Sequence, residues 1–184
     1  EHAILYGDDT TGVTIFKLVE KLDEGPIIDI KTIKIKKEIS KQELIDQLNE
    51  LGIELLNKVI PNYINNKISL KIQDNSKATY AKKIQKAEGK IDWNENADKI
   101  IGKINGLYPY PGAFFIYNGE RYKILKAEKS YSNGLVGNII SEDFEICCGE
   151  GSIKVLSIQR EGKKAQQIKE FLLGSQIKKG SNIA

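Results

Sequence analysis

The sequence predicts two dissimilar halves: an α/β segment over residues 1–65 and a small β-barrel over residues 88–184, with residues 66–87 as the linker between them. Three observations predict this. Strand-like runs and a long amphipathic stretch fill the first third. A polar, lysine-rich stretch without a sustained period follows. Beyond it, about five short strand-like runs separated by turn residues are crowded between Ala113 and Gln159.

The first half contains Thr11–Val19, a short run of β-branched and aromatic residues, and after a turn Ile27–Ile35, which alternates apolar and polar side chains for most of its length. Both are expected as strands. Between them sit Asp23, Glu24, Gly25 and Pro26, each a turn residue for its own backbone reason. A carboxylate at such a tip also fits a catalytic acid, and the local sequence leaves both readings open. The stretch from Ile39 to Asn66 is expected as a helix of roughly five turns. Ser40 and Glu43 have the spacing of a capping box, Ile39 and Leu44 that of a hydrophobic staple, and Leu44, Leu48, Leu51, Leu55 and Val59 recur on one face. That stripe needs a sheet to cover it, and Pro61 is expected to end or kink the helix near its C-terminus.

Residues 66–87 are read as a linker because a long structureless connection inside one compact domain is unusual. "NENADKIIGKINGL" then reads as a short amphipathic helix capped by Asn94 and ended at Gly106. "YPYPG" forces extended chain, since each proline restricts its predecessor. "AFFIYNGERYKILKAE" places two strands around Asn118-Gly119, a pair that tolerates positive φ and is a strong hairpin signal. Three more short runs lie between Leu135 and Gln159. Together they suggest a closed or nearly closed barrel of the OB kind. Lys163–Gln176 reads as a helix ended by Gly174.

At 184 residues and 40% hydrophobic content the chain can build real cores, and no apolar run approaches the roughly 20 residues that span a bilayer. The opening "EHAILYGDD" has neither the basic end nor the apolar stretch of a signal peptide, so a cytoplasmic protein without membrane association is expected. Cys147 and Cys148 are neighbours in an apolar run, where a bond between them would be strained and would close almost no loop. Buried reduced thiols are expected there, and no metal site, because the chain offers too few ligands. Methionine is absent, even from position 1, and further sequence before Glu1 is expected. The net charge of +3 is too small to predict nucleic-acid binding. From Lys154 onward, however, Lys154, Arg160, Lys163, Lys164, Lys169, Lys178 and Lys179 face only Glu161 and Glu170; a solvated surface accounts for this as readily as an anion-binding one. His2, the only histidine, lies beside the terminus and completes no nucleophile–base pair. Trp93 is expected as a packing residue, while Tyr108 and Tyr110 carry rings suited to stacking on bases.

Four stretches, "TGVTIFKLVEKLDEGPIID", "DNSKATYAKKIQKAEGKIDW", "INGLYPYPGAFF" and "CGEGSIKVLSIQREGKKAQQIKEFLLG", resemble in order and spacing the methionyl-tRNA formyltransferase family, and together they cover nearly all of the chain. The first is shared with the glycinamide ribonucleotide and sugar formyltransferases, so it implies chemistry rather than substrate. The linker and C-terminal signatures are narrower and favour the tRNA enzyme. The resemblance implies that residues 1–65 are the end of a Rossmann-like sheet. It also implies formyl transfer from 10-formyltetrahydrofolate to the amino group of methionyl-initiator-tRNA, in translation initiation, without a metal and by an enzyme that is monomeric when complete.

In that family the acid of the "LD-x-G" turn belongs to an Asn, His, Asp set, and the matching residue is Asp23. Its carboxylate orients and charges the histidine while the attacking amine adds to the formyl carbon, and the Asn and His stabilise the oxyanion. Leu22, Glu24 and Gly25 are then the folate-binding loop, with Gly25 allowing close backbone approach and Pro26 fixing the exit into the next strand. Lys82 and Lys83 in "YAKKI", and Arg160, Lys163 and Lys164 in "QREGKK", are the implied tRNA contacts, Lys83 foremost. Nothing in the chain matches the family's Asn-x-His strand end or its "SLLP" folate segment, which precede the matching stretch. A longer protein that carries them upstream is expected, rather than a degenerate relative, and these 184 residues alone are expected to be inactive. A nucleotide-sugar N-formyltransferase and a non-catalytic RNA-binding barrel remain as alternatives.

Overall fold

The computed structural model of the chain describes residues 1–184, which divide into two compact units, one of residues 8–36 and 42–82, the other of residues 1–7, 37–41 and 83–184. The architecture is mixed α/β.

In the smaller unit, β1 (Thr10–Phe16) and β2 (Ile27–Lys34) pair antiparallel, from Thr10 opposite Lys34 to Phe16 opposite Ile27. Lys17–Val19, expected as the end of the first strand, lie outside it. The Lys17 N–H still donates to the Pro26 carbonyl at 3.0 Å, but Pro26 has no N–H to return a bond, and the ladder stops there. Across the outer edge of β2, Ile27 and Lys71 exchange two backbone bonds, of 2.7 and 2.9 Å. The stretch expected to be structureless is therefore partly ordered by this unit.

The helix α2 (Lys41–Ile64) is longer than its sequence pattern suggests, and Pro61 lies inside it rather than ending it. The proline falls in the last turn, where its missing N–H costs the one backbone bond that the Asn57 carbonyl would have accepted, and the side-chain amides of Asn62 and Asn65 donate at 2.7 Å to the carbonyls of Lys58 and Pro61 respectively. Leu44, Leu51, Leu55 and Val59 are buried as the periodicity predicts, and Leu48 is half-buried. Ion pairs from Lys58 to Asp29, at 2.9 Å, and from Lys31 to Glu54 tie the helix to β2.

The larger unit begins with α1 (His2–Tyr6), which packs on α3 (Ala97–Leu107). Gly102 eases this approach, since a Cβ there would lie 3.1 Å from the Ile4 carbonyl oxygen. The cap of α3 is Asn96, whose side chain accepts from the Lys99 N–H at 2.9 Å, and not Asn94. Asn94 is engaged by the Asp92 carboxylate, and the turn from Asp92 to Glu95 delays the helix by two residues.

The strands β3 (Ala113–Tyr117), β4 (Glu120–Ser130), β5 (Glu145–Cys147), β6 (Ser152–Arg160) and β7 (Gln166–Gln167) form one antiparallel sheet in the order β3-β4-β6-β5, with β7 also on β6. The path runs from β3 to β5 as an open one. Asn118 and Gly119 turn the first hairpin with φ of 49° and 77°, as expected for this pair. One face of the sheet carries Phe115, Tyr122, Ile124, Ile153 and Val155 into the core, where α3 adds Ile100 and Ile104. Trp93 is 3% exposed, packs its indole edge-on to Phe115 and donates its N–H to the Ile183 carbonyl at 3.1 Å, so it is a packing residue. The helix α4 (Ile168–Gly174) starts later than the sequence suggests, because Gln166–Gln167 join the sheet first, and it presents Phe171 to Tyr122 and Phe144. Cys147 and Cys148 are buried and unbonded, and burial pushes the Cys148 thiol up to about 12. No helix is long and apolar enough to cross a membrane, and no three His, Cys, Asp or Glu side chains are grouped to hold a metal.

Candidate functional site

The connection from β1 to β2, residues 17–26, is a loop pinched at its base. Besides the Lys17–Pro26 bond, Gly25 passes so close to Lys17 that a Cβ on it would fall 1.7 Å from the Lys17 carbonyl oxygen. Only glycine fits. At the tip Asp23 has φ of 56°, a left-handed conformation that Asp tolerates better than most side chains. Leu22 is 88% exposed, and Asp23 and Glu24 are exposed as well.

What holds this loop comes from a distant part of the sequence. The Gln73 amide donates to two loop carbonyls, those of Asp23 at 2.8 Å and Gly25 at 2.7 Å. Asn75 donates to the Glu24 carboxylate at 3.2 Å, and Lys21 pairs with the same group at 3.4 Å. The Asp23 carboxylate itself has no hydrogen bond or ion pair with the protein. The backbone of the loop is therefore fixed while its acid is left free to engage something else. Gln73 and Asn75 escaped sequence reasoning, because a polar residue about 50 positions from the loop carries no local signal of such a contact.

The other sequence-derived residues lie elsewhere. Lys82 and Lys83 are exposed and fall on either side of the division between the two units. Arg160, Lys163 and Lys164 are brought together in the larger unit, on the wall of a cavity of about 780 Å³ that also includes Glu120, Tyr122 and Phe171. Their charges are not equivalent. Arg160 donates to Glu120, which also accepts from the Tyr122 hydroxyl at 2.7 Å. The Arg160 bond, and then that of Tyr122, hold the Glu120 carboxyl below its ordinary value, while burial and the bond to Glu120 push the Tyr122 phenol up. Arg160 is thus already paired, whereas Lys163 and Lys164, which share the wall with Glu120 and Glu170, form no ion pair with either.

Known proteins resemble both units. Residues 1–60 match the family model described as formyl transferase, and residues 83–176 match the one described as formyl transferase, C-terminal domain. A methionyl-tRNA formyltransferase from Pelagibacter ubique is 50% identical over 184 residues, all of this chain and 59% of that protein. One from Rickettsia prowazekii is 40% identical over 181 residues, 97% of this chain and again 59% of the relative. The chain thus spans less than two thirds of the length of these curated relatives. Among solved structures, HypX from Aquifex aeolicus in complex with tetrahydrofolic acid has a TM-score of 0.73 at 17% identity, over 95% of this chain and 32% of that one. Over its larger part, and in its first 60 residues as well, the chain carries the sequence of one family: it belongs to the formyl transferases.

Proposed function

We propose that the protein carrying this chain transfers the formyl group of 10-formyltetrahydrofolate to the amino group of methionyl-initiator-tRNA, in the cytoplasm and as a monomer. The observation that carries this reading is the likeness of the whole chain, at 50% identity, to a methionyl-tRNA formyltransferase. The loop geometry is consistent with it. In the reaction the amine nitrogen bonds to the formyl carbon, the bond from that carbon to the folate nitrogen breaks, and one proton passes from the amine to that folate nitrogen. A carboxylate held on a rigid backbone, with no protein partner of its own, is suited to charging and orienting the group that moves the proton. Asp23 takes that role. Leu22 offers apolar surface to the flat folate, and Glu24 and Gly25 shape the loop around it.

Residues 1–65 are read as the end of the catalytic domain, 66–87 as the linker and 88–184 as a C-terminal OB-like barrel. Lys82 and Lys83, with Lys163, Lys164 and Arg160, supply positive charge for the tRNA backbone. The test is a formylation assay of the protein with charged initiator tRNA and, separately, with a nucleotide-linked amino sugar. Formylation of the tRNA alone supports the reading. Formylation of the sugar alone replaces it with the sugar enzyme, and activity on neither, from a folded full-length protein, points to a non-catalytic RNA-binding remnant.

A further inference from the structure

Two carboxylates stand side by side at the tip of the β1–β2 loop, in different surroundings. Glu24 accepts from the Asn75 amide at 3.2 Å and pairs with Lys21 at 3.4 Å, both through its Oε2. Asp23 has no such partner. The difference comes from a short stretch of the smaller unit, residues 71–77, that runs along the loop.

This stretch is itself well held. Lys71 exchanges backbone bonds of 2.7 and 2.9 Å with Ile27, at the start of β2. Two residues on, the Gln73 amide donates to the Asp23 and Gly25 carbonyls, the two that bracket Glu24. Asp74 turns its carboxylate back to its own chain, where it accepts from the Ser76 N–H at 3.1 Å and from the Ser76 hydroxyl at 2.6 Å, and so opens the 3₁₀ turn Asn75–Lys77. The Asn75 amide therefore reaches Glu24 from a fixed backbone.

What a tied Glu24 does for its neighbour follows from charge. In the proposed reaction the group that carries the proton is positively charged while it holds it, and Asp23 is the anion that orients it. A second free carboxylate one residue away would attract the same cation and draw it off line, and a displacement of about 1 Å is enough to slow a reaction severely. We infer that Asn75 is a positioning residue: by holding Glu24 aside, while Gln73 fixes the backbone on either side of it, Asn75 selects Asp23 as the carboxylate that serves formyl transfer. The inference rests on the reading of Asp23 as the carboxylate of a formyltransferase. Lys21 supports Asn75 but adds less, because its side chain is largely in water.

The test is single-turnover formylation of methionyl-initiator-tRNA by the full-length protein over a range of 10-formyltetrahydrofolate, for the unmodified protein, Asn75→Ala, Lys21→Gln and the double variant Asn75→Ala/Glu24→Gln. Asn75→Ala should lower the saturating rate by about twofold to fivefold, the range set by the strength of an exposed charge pair, with half-saturation by folate unchanged. Lys21→Gln should act in the same direction and less. In the double variant the competing charge is gone, so most of the lost rate should return. That recovery separates the two roles, because an Asn75 that only anchored the loop would gain nothing from the loss of its partner's charge. An unchanged saturating rate in Asn75→Ala, or a double variant as slow as the single one, would overturn the inference while formylation by the unmodified protein leaves the reading beneath it standing. A change confined to half-saturation by folate would overturn it in favour of Glu24 as a folate contact. Circular dichroism identifies an Asn75 variant that fails to fold, in which case Lys21→Gln, with and without Glu24→Gln, decides. No formylation by the unmodified protein, or a normal rate in Asp23→Asn, would remove the underlying reading and the inference with it.

Discussion

At position 23 the backbone adopts φ of 56°, and two residues on, Gly25 passes where no Cβ fits beside the Lys17 carbonyl. Both conformations are maintained by partners: Gln73 binds the two carbonyls, and Lys17 closes the base of the loop. Backbone strain of this kind persists only where the surroundings over-determine it. Gly25→Ala should therefore destabilise the fold by about 1–3 kcal/mol, the range for forcing a group into filled space, read as a lower urea midpoint. Gln73→Ala should cost about 1 kcal/mol of stability. In the full-length enzyme it should also slow formylation by roughly 10-fold, because the carboxylate next to a loosened backbone is no longer held in line. Near-normal turnover with Gln73→Ala would mean that the loop positions itself. The sequence made the loop legible through Asp23, Gly25 and Pro26, whose types report local backbone needs. It was silent on Gln73, whose amide acts at a distance in sequence.

Among the elements, the strands and helices that the sequence exposed best are those whose signal is local. The stripe from Leu44 to Val59 and the Asn118-Gly119 turn appear in the structure as read, since period and turn chemistry act within a few residues. Boundaries were less legible: Asn96, not Asn94, caps α3 because Asp92 binds Asn94 first, and α2 holds Pro61 within its last turn instead of ending before it. Between β4 and β6, Glu120 links the Tyr122 hydroxyl to the Arg160 guanidinium across the strand pair. The Glu120 carboxyl lies below its ordinary value in the folded state, so its contribution to stability is present above the unfolded value, about 4.3. That contribution is lost as the pH falls through the lower, folded value. Glu120→Gln should accordingly be less stable than the unmodified protein at neutral pH, and the difference should shrink as the pH falls below about 4. Thermal unfolding at several pH values measures this. A constant difference across the acid range would separate the group's packing from its charge.

Over the whole molecule, a feature that no single element shows is the amount of apolar surface left open on the smaller unit. Ile53, Leu56, Ile60 and Ile64 form a second, exposed stripe on α2, and Leu18 and Leu22 stand out from the loop. Large exposed apolar patches associate. The 184-residue chain should therefore sediment as a mixture that grows with concentration, while a single monomer species across the micromolar range would show that the stripe is tolerated in water. The change of pattern around the lysine-rich stretch was legible in the sequence. That residues 67–82 cluster with the smaller unit was not, because Lys71 and Gln73 bond to chain far away in sequence. The strand order β3-β4-β6-β5 likewise escaped a reading that counts strands but cannot pair them. The central proposal is that the full-length protein carrying this chain formylates methionyl-initiator-tRNA with Asp23 as its catalytic carboxylate. The most direct test is the single-turnover rate of formylation by the full-length protein, unmodified and as Asp23→Asn, with tRNA affinity measured alongside. The account predicts a rate lower by about 10²-fold or more at nearly unchanged affinity, the range for losing an acid–base partner; a rate near that of the unmodified protein would reduce Asp23 to an ordinary turn residue.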